Sequence, residues 1–253
     1  MAHAEQPGNP CVLLTATVIV KDTSFTIRTD PKIRLNDYKQ AFSRWISNPG
    51  VQSIVLVENS GFDLTEFQKI ADTVPDKKIE LLSFTCPTFD GRLGKGYGET
   101  FCLEYALQNS RLLTESPLFL KATGRYYLRN AHSFLKFIAQ NPDVDIVCNL
   151  TKNLSWADSR AFGGRIKFLE NYFFPLKDFM NDSAGVYFEH ILAKAIHRQI
   201  SEWGRWELPP DLPEIEGISG TLDAAYQINP IKAFARKKLY QFKRRLFAAH
   251  SYL

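Results

Sequence analysis

Three apolar runs that alternate with two helical patterns constrain the fold of this chain more than any other feature. The runs at residues 11–20 and 53–57 are continuous and rich in β-branched side chains, which is typical of strands buried on both faces, and residues 78–84 are predicted as a third strand. Between them, apolar residues recur at helical spacing in residues 36–47 and 63–71. Strands joined through helices need crossover connections, so this order predicts a parallel sheet covered by helices.

The remainder of the chain continues the alternation less regularly. The elements predicted there are a glycine-rich loop at 89–98, helices at 98–113 and 130–139, strands at 118–122 and 144–150, a glycine-broken strand at 159–169, and helices at 171–180 and 185–200. No internal repeat or linker interrupts them. We therefore expect one α/β domain over residues 11–228, with a Rossmann-like, mostly parallel central sheet flanked by helices.

The positive charge is concentrated at the end of the chain. The whole chain has 31 Lys plus Arg against 27 Asp plus Glu, a net charge of +4, and a pI near 8.8. The segment 229–253 contains no acidic residue, and its bases are Lys232, Arg236, Lys237, Lys238, Lys243, Arg244 and Arg245. Residues 1–228 are slightly acidic, so the excess charge does not indicate a nucleic-acid partner.

The same segment has a helical apolar stripe formed by Ile231, Ala235, Leu239, Phe242 and Leu246. This pattern predicts a basic amphipathic C-terminal helix over residues 229–253. Such a helix either binds an anionic membrane surface or packs on the body with its bases in solvent. Both alternatives are open at this point.

Residues 1–10 are polar and contain Gly8 and Pro10, which predicts a disordered lead-in rather than a signal segment. No apolar run reaches the roughly 18 residues that a membrane span needs. Four widely spaced cysteines give no disulfide or zinc pattern. We expect a cytoplasmic protein.

The strongest chemical motif is G-K-G-Y-G-E, formed by Gly94, Lys95, Gly96, Tyr97, Gly98 and Glu99 between a predicted strand and a predicted helix. The glycines allow a close approach of the backbone to a ligand, and a helix start attracts anions. The alternative is a tight turn with a solvated lysine. The motif lacks the Gly-Lys-Ser/Thr ending of a Walker A loop and follows the third strand rather than the first.

A second motif follows a predicted strand and contains Lys121, Gly124, Arg125 and Tyr126. Two cations near a strand end suit a phosphate or diphosphate. The alternative is a surface β-turn with two solvated bases.

Two further segments carry acids. Asp158 follows the strand predicted at 144–150, and its carboxylate either binds a ligand or stabilises a turn. Glu189 and His190 begin the predicted helix at 185–200, where Glu189 is either a general base tuned by His190 or an exposed acid near a helix start. No H-E-x-x-H or G-x-S-x-G motif occurs in the chain, and an Asp-x-Asp sequence occurs once, at residues 143–145.

These motifs, in this order, resemble bacterial GT-A-type glycosyltransferases of lipopolysaccharide and capsule gene clusters. The matching stretches are G-K-G-Y-G-E at 94–99, K-x-T-G-R-Y at 121–126 and D-S-R at 158–160. The resemblance covers about residues 12–225. It implies a GT-A-like domain with a nucleotide-sugar half at 11–127 and an acceptor half at 128–228.

The resemblance also implies roles for individual residues. It places the base and ribose of a donor, most often a UDP-sugar, near Thr17, Val18, Glu58 and Asn59, and its diphosphate near Lys95, Lys121 and Arg125. Many such enzymes have an Asp-x-Asp metal ligand where this chain has residues 121–125. This departure suggests metal-independent transfer with no cofactor, in which fixed cations stabilise the leaving diphosphate.

By the same resemblance, Glu189 is the candidate base, with Asp158 as the second candidate. The implied function is transfer of a hexose to a glycan or lipid-linked glycan of the bacterial surface, at the inner face of the cytoplasmic membrane. Two other functions are open: a sugar nucleotidyltransferase, and a non-catalytic partner subunit that keeps the fold.

Overall fold

The computed structural model describes residues 8–20, 27–218 and 230–250, and in the last range it describes side chains from 235 to 246. The strands are β1 Cys11–Ala16, β2 Ser53–Glu58, β3 Lys78–Ser83, β4 Leu118–Thr123, β5 Tyr126–Leu128, β6 Ile146–Val147, β7 Leu150–Thr151, β8 Trp156–Ala157, β9 Ala161–Arg165, β10 Trp206–Glu207 and β11 Ile215–Gly217. The helices are α1 Pro31–Ser47, α2 Thr65–Ala71, α3 Gly94–Asn109, α4 Arg111–Glu115, α5 Ala131–Gln140, α6 Ile166–Phe168, α7 Phe188–Ser201 and α8 Pro230–His250.

The central sheet has seven strands in the order β10-β6-β9-β4-β1-β2-β3. The pairs β1–β2, β1–β4, β2–β3 and β6–β10 are parallel, whereas β9 is antiparallel to both β4 and β6. The predicted α/β fold with a mostly parallel sheet is therefore confirmed. The strand β9 follows the short β7–β8 hairpin, whereas a parallel neighbour needs a crossover connection, so β9 is antiparallel.

Apolar cores cover both faces of the sheet. All six residues of β1 are buried, so its alternate side chains supply both cores, as the continuous apolar run predicts. One core contains Phe42 and Trp45 of α1, and the other contains Phe162 together with residues of α3 and α7. The helix α1 begins where the Asp30 carboxylate accepts the backbone N–H groups of Lys32 and Ile33.

Several predicted boundaries were wrong. The strand predicted over 11–20 ends at Ala16, and the strand predicted over 144–150 divides into β6 and β7. The segment predicted as helix over 171–180 is a run of 3₁₀ and π turns, and Gly185, with φ +75°, delays the start of α7 to Phe188. The largest correction concerns residues 94–98, which were predicted as loop and form the first turn of α3.

The predicted C-terminal helix is present over the described residues of α8, but it contacts the body through its basic side. The Tyr240 hydroxyl donates to the Pro209 carbonyl at 2.8 Å, and Lys243 Nζ donates to the Leu150 carbonyl at 3.0 Å. Leu239 and Phe242 of the apolar stripe are 70% and 60% exposed. The apolar stripe therefore faces solvent, because a buried tyrosine and long basic side chains reach the body instead.

Residues 1–7 of the predicted lead-in, residues 21–26 and the side chain of Ile231 lie outside the described residues. In the parts of the chain that the structure describes, no helix is long and apolar enough to cross a membrane. None of the four cysteines, all of which lie within residues 8–20 and 27–218, forms a disulfide.

Candidate functional site

A cavity of about 560 Å³ opens at the carboxyl ends of β1, β2 and β4, between the starts of α3 and α7. Its volume lies in the range of small-molecule sites, and its position is where ligands bind in parallel sheets. The predicted site residues that line it are Thr17, Asn59, Lys95, Gly96, Gly98, Glu99, Arg125, Tyr126 and Glu189. Those that do not line it are Val18, Glu58, Tyr97, Lys121, Gly124, Asp158 and His190.

The segment after β1 forms one wall of the cavity and is held by side chains from β2. The Thr17 hydroxyl donates to Asn59 Oδ1 at 2.7 Å, and the Val18 N–H donates to Glu58 Oε1 at 2.9 Å. Glu58 is fully buried and also accepts the N–H groups of Ser60 and Phe62. The structure thus places Glu58 and Val18 behind the wall, where they shape it.

The start of α3 packs tightly, which explains its glycines. A Cβ at Gly94, where φ is +86°, would lie 1.9 Å from Oδ2 of Asp182. A Cβ at Gly96 would lie 2.8 Å from the Cβ of Phe188. These glycines allow side chains from the second half of the chain to contact the helix start. Tyr97 does not line the cavity, and its ring packs edge-on against Phe89.

Lys95 and Arg125 supply positive charge to the cavity wall. Partial burial and the neighbouring Arg125 lower the pKa of Lys95, while nearby carboxylates oppose the effect. The buried Nε of Arg125 has no hydrogen-bond partner among the described residues. A buried donor of this kind is costly unless a ligand or water accepts from it, so the Arg125 guanidinium suits an anionic ligand.

Lys121 was predicted to contact the donor, but it is fully buried beneath the cavity. Its Nζ lies 2.7 Å from Glu99 Oε1 and donates to the Ser159 carbonyl at 2.8 Å. Burial raises the pKa of Glu99, and the Lys121 ammonium with two hydrogen bonds outweighs that effect and holds the pKa below its usual range. Gly124 does not line the cavity, and it packs closely on the end of β1, where a Cβ would be 2.7 Å from the Thr15 carbonyl oxygen.

Of the three residues predicted as acid or base, only Glu189 lines the opposite wall. Asp158 is buried away from the cavity and paired with Arg160, whose Nη2 lies 2.7 Å from Asp158 Oδ2. His190 Nδ1 accepts the backbone N–H of Tyr187 at 3.2 Å and so supports the start of α7. Glu189 lines the cavity, and its Oε1 accepts the Ser159 hydroxyl at 2.7 Å.

Sequence patterns did not reveal several lining residues, namely Arg34, Tyr38, Phe89, Asp182 and Tyr187. Ser159 and Arg160 also line the cavity and belong to the D-S-R stretch, of which only Asp158 was a predicted site residue. Asp182 is the most informative of these lining residues, because it is buried and its carboxylate accepts the backbone N–H of Lys95. It caps a helix that begins 88 positions earlier in the chain. The only signal in the sequence was the Asn-Asp-Ser turn ahead of Gly185.

We expect Asp182→Asn to stabilise the protein at neutral pH but not in acid. Burial raises the pKa of Asp182 to about 6 from its ordinary value of 3.8, and Glu189 adds to the effect while Lys95 opposes it. The folded state therefore retains this proton between about pH 4 and pH 6 while the unfolded state releases it. The contribution of this group to stability falls as pH rises through this window, by about 1–3 kcal/mol once solvent screening is allowed for.

The amide in Asp182→Asn keeps an oxygen for the Lys95 N–H and has no charge to bury. Urea unfolding of both proteins at about pH 4 and about pH 7.5, on either side of the window, measures the effect, with Asp76→Asn as an exposed control. The prediction is wrong if the free energy of unfolding of the variant differs from that of the wild type by the same amount at both pH values.

No group of three or more His, Cys, Asp or Glu side chains within residues 8–20, 27–218 and 230–250 is arranged to hold a metal ion. Metal-independent chemistry remains a prediction.

Comparisons with known proteins give distant structural likenesses. Neither a protein-family model nor a curated protein matches the chain. A cytidylyltransferase from Leptospira borgpetersenii is 12% identical with a TM-score of 0.47, and the match covers 81% of this chain and 77% of that one. A mannosyltransferase from Pyrobaculum calidifontis, in complex with GDP-Man and Mn²⁺, is 14% identical with a TM-score of 0.45, over 81% and 56% of the two chains.

A glycosyltransferase from Streptococcus pneumoniae is 8% identical with a TM-score of 0.49, over 79% of this chain and 45% of that one. At these identities and TM-scores, the ligands of the three proteins cannot be assigned to this chain.

Proposed function

We propose that the protein is a glycosyltransferase that moves a sugar from a nucleotide-sugar donor to a hydroxyl of a glycan acceptor. The observation that carries the proposal is the cavity at the strand ends, with the unpartnered Nε of Arg125 on one wall and the carboxylate of Glu189 on another. A cation suits the diphosphate of a donor, and a carboxylate suits deprotonation of an acceptor.

The donor diphosphate contacts Lys95 and Arg125 in this proposal. Both residues line the cavity, whereas Lys121 is paired with Glu99. As the bond between the anomeric carbon and the phosphate oxygen breaks, its electron pair passes to the diphosphate. Two fixed cations then stabilise the added negative charge without a metal ion.

The acceptor hydroxyl gives its proton to Glu189 while its oxygen attacks the anomeric carbon. Glu189 stays the first candidate, because Asp158 does not line the cavity and its carboxylate is paired with Arg160. Asp182 is a second carboxyl in the cavity wall and takes the place of Asp158 as the alternative base.

The resemblance of the motifs supports a UDP-sugar donor, a hexosyl group and an acceptor in lipopolysaccharide or capsule assembly. It also supports a location at the inner face of the cytoplasmic membrane, where a lipid-linked glycan is available.

Ligand-induced thermal stabilisation tests the function. We expect one class among UDP-, GDP- and CMP-sugars to raise the melting temperature with EDTA present, because binding to the folded state alone stabilises it. Arg125→Gln should weaken that binding about 10- to 100-fold, the size expected for a lost charge-assisted hydrogen bond.

Arg129→Gln is the matched control, since Arg129 is exposed and lies outside this cavity. Stabilisation by nucleoside triphosphates alone would indicate a nucleotidyltransferase, and no response to any nucleotide would indicate a non-catalytic subunit. A strict metal requirement for turnover would contradict the metal-independent mechanism.

The proposed membrane contact is the outward apolar stripe of α8. Leu239, Phe242 and Leu246 are 70%, 60% and 47% exposed, and the exposed bases Arg236 and Arg245 lie on the same helix. An apolar stripe flanked by bases suits the interface of an anionic bilayer.

Flotation with vesicles of mixed neutral and anionic lipid tests this contact. Burying a Leu or Phe contributes about 1.5–3 kcal/mol, so the double variant L239S/F242S should weaken vesicle binding by about 100-fold or more. Ile33→Ser is the control, because Ile33 is a similarly exposed apolar residue on α1. Unchanged flotation of L239S/F242S would exclude this helix as the contact.

A further inference from the structure

We propose that Ser159, held in place by the buried Lys121, is the positioning residue that orients Glu189 for proton transfer. The inference rests on the proposed function, since it assigns a role to a neighbour of the proposed base. It also gives Lys121 a role that its sequence motif did not suggest.

Lys121 lies in the central strand β4, and its side chain is fully buried. Its ammonium lies 2.7 Å from Glu99 Oε1 on α3, 2.8 Å from the Ser159 carbonyl oxygen, and 3.4 Å from the Thr123 hydroxyl. The rings of Phe162 and Phe188 each lie 5.5 Å away from it. A buried ammonium is costly without hydrogen-bond acceptors, so Lys121 must keep these contacts. The positions of Glu99, Ser159 and Thr123 are therefore coupled through it.

Ser159 makes two hydrogen bonds through two different groups. Its backbone carbonyl accepts from Lys121, and its side-chain hydroxyl donates to Glu189 Oε1 at 2.7 Å. Lys121 therefore holds the backbone of the segment that precedes β9. The Ser159 hydroxyl on that segment in turn holds the Glu189 carboxylate. The two links can be separated by mutation, because replacing the side chain leaves the carbonyl intact.

The hydrogen bond restricts the rotation of a long, half-buried side chain. Glu189 Oε1 is engaged by Ser159, whereas no hydrogen bond to Oε2 occurs among the described residues. Because Glu189 lines the cavity, Oε2 is the oxygen assigned to the acceptor hydroxyl. A carboxylate held in one orientation is a better base than one that samples several.

The same network reaches the donor side of the cavity. Glu99 Oε1 also accepts the Thr15 hydroxyl at 2.5 Å, and both Thr15 and Glu99 line the cavity. The series Thr15, Glu99, Lys121, Ser159 and Glu189 therefore joins the end of β1 to the start of α7. Through these contacts, the position of Glu189 depends on the positions of the residues around the proposed donor.

The experiment compares Ser159→Ala and Ser159→Thr with the wild type, using the nucleotide sugar that stabilises the wild type. We expect Ser159→Ala to lower kcat for donor hydrolysis or transfer about 10-fold, with donor KM and thermal unfolding little changed. Ser159→Thr keeps the hydroxyl and should recover most of kcat.

The control is Ser155→Ala, since Ser155 is exposed and its hydroxyl bonds locally to the Lys152 carbonyl. The positioning role is overturned if Ser159→Ala keeps the wild-type kcat, or if Ser159→Thr is as impaired as Ser159→Ala. A wild type that binds and turns over no nucleotide sugar would overturn the proposed function, and with it the role that rests on it.

Discussion

Glu189→Gln should lower turnover by about 100-fold or more while leaving the affinity for the donor close to that of the wild type. The amide keeps the shape of the side chain and can still accept the Ser159 hydroxyl, so the packing of α7 is preserved. It cannot accept the proton of an acceptor hydroxyl. A loss in kcat without a loss in binding would therefore indicate a role in the chemical step.

The measurement is steady-state transfer, or donor hydrolysis, for Glu189→Gln beside Asp158→Asn and Asp182→Asn. Asp158→Asn should have a much smaller effect on turnover, because Asp158 does not line the cavity. Glu115→Gln is an exposed control. Should Asp182→Asn lose turnover while Glu189→Gln retains it, the base is Asp182.

Lys121→Met should lower the free energy of unfolding by about 3–5 kcal/mol, which is the usual cost of leaving one member of a buried ion pair alone. The thioether fills a similar volume but cannot pair with Glu99 or donate to the Ser159 carbonyl. The carboxylate of Glu99 would then lie in a poorly solvated position, where the Thr15 hydroxyl still donates to it.

Urea denaturation measures this loss, and K121M/E99Q should recover part of it because it removes the unpaired charge. Lys78→Met provides the contrast. Lys78 pairs with Glu115 at 3.5 Å but is 68% exposed, and exposed pairs contribute about 0–1 kcal/mol. A loss below about 1 kcal/mol for Lys121→Met would show that solvent reaches this pair.

The local patterns predicted the first half of the fold well. Continuous apolar runs identified β1, β2 and β4, since a strand buried on both faces allows few other residues. The third predicted strand, β3, lies at the edge of the sheet and is only partly buried. The order of strands and helices predicted the parallel sheet, and the strand ends indicated where the cavity lies. The antiparallel β9 was not predicted, because strand direction depends on the connection and not on the strand residues.

Individual site residues were predicted less well for a physical reason. Lys121 and Arg125 are four positions apart in one motif, yet one is buried against Glu99 and the other lines the cavity. The spacing of cations in a sequence does not show which carboxylate will neutralise which cation. That depends on residues such as Glu99, which approach from another element.

The sequence by itself determined the class of fold, the edge of the sheet that holds the site and the identity of Glu189 as a candidate base. These follow from the period of apolar residues and from helix and strand ends, which are local properties. Only the tertiary structure decided that Asp182 caps α3, that Lys121 lies beneath the cavity and that the apolar stripe of α8 faces outward. Each of these depends on contacts between distant parts of the chain, and such contacts cannot be predicted from local sequence patterns.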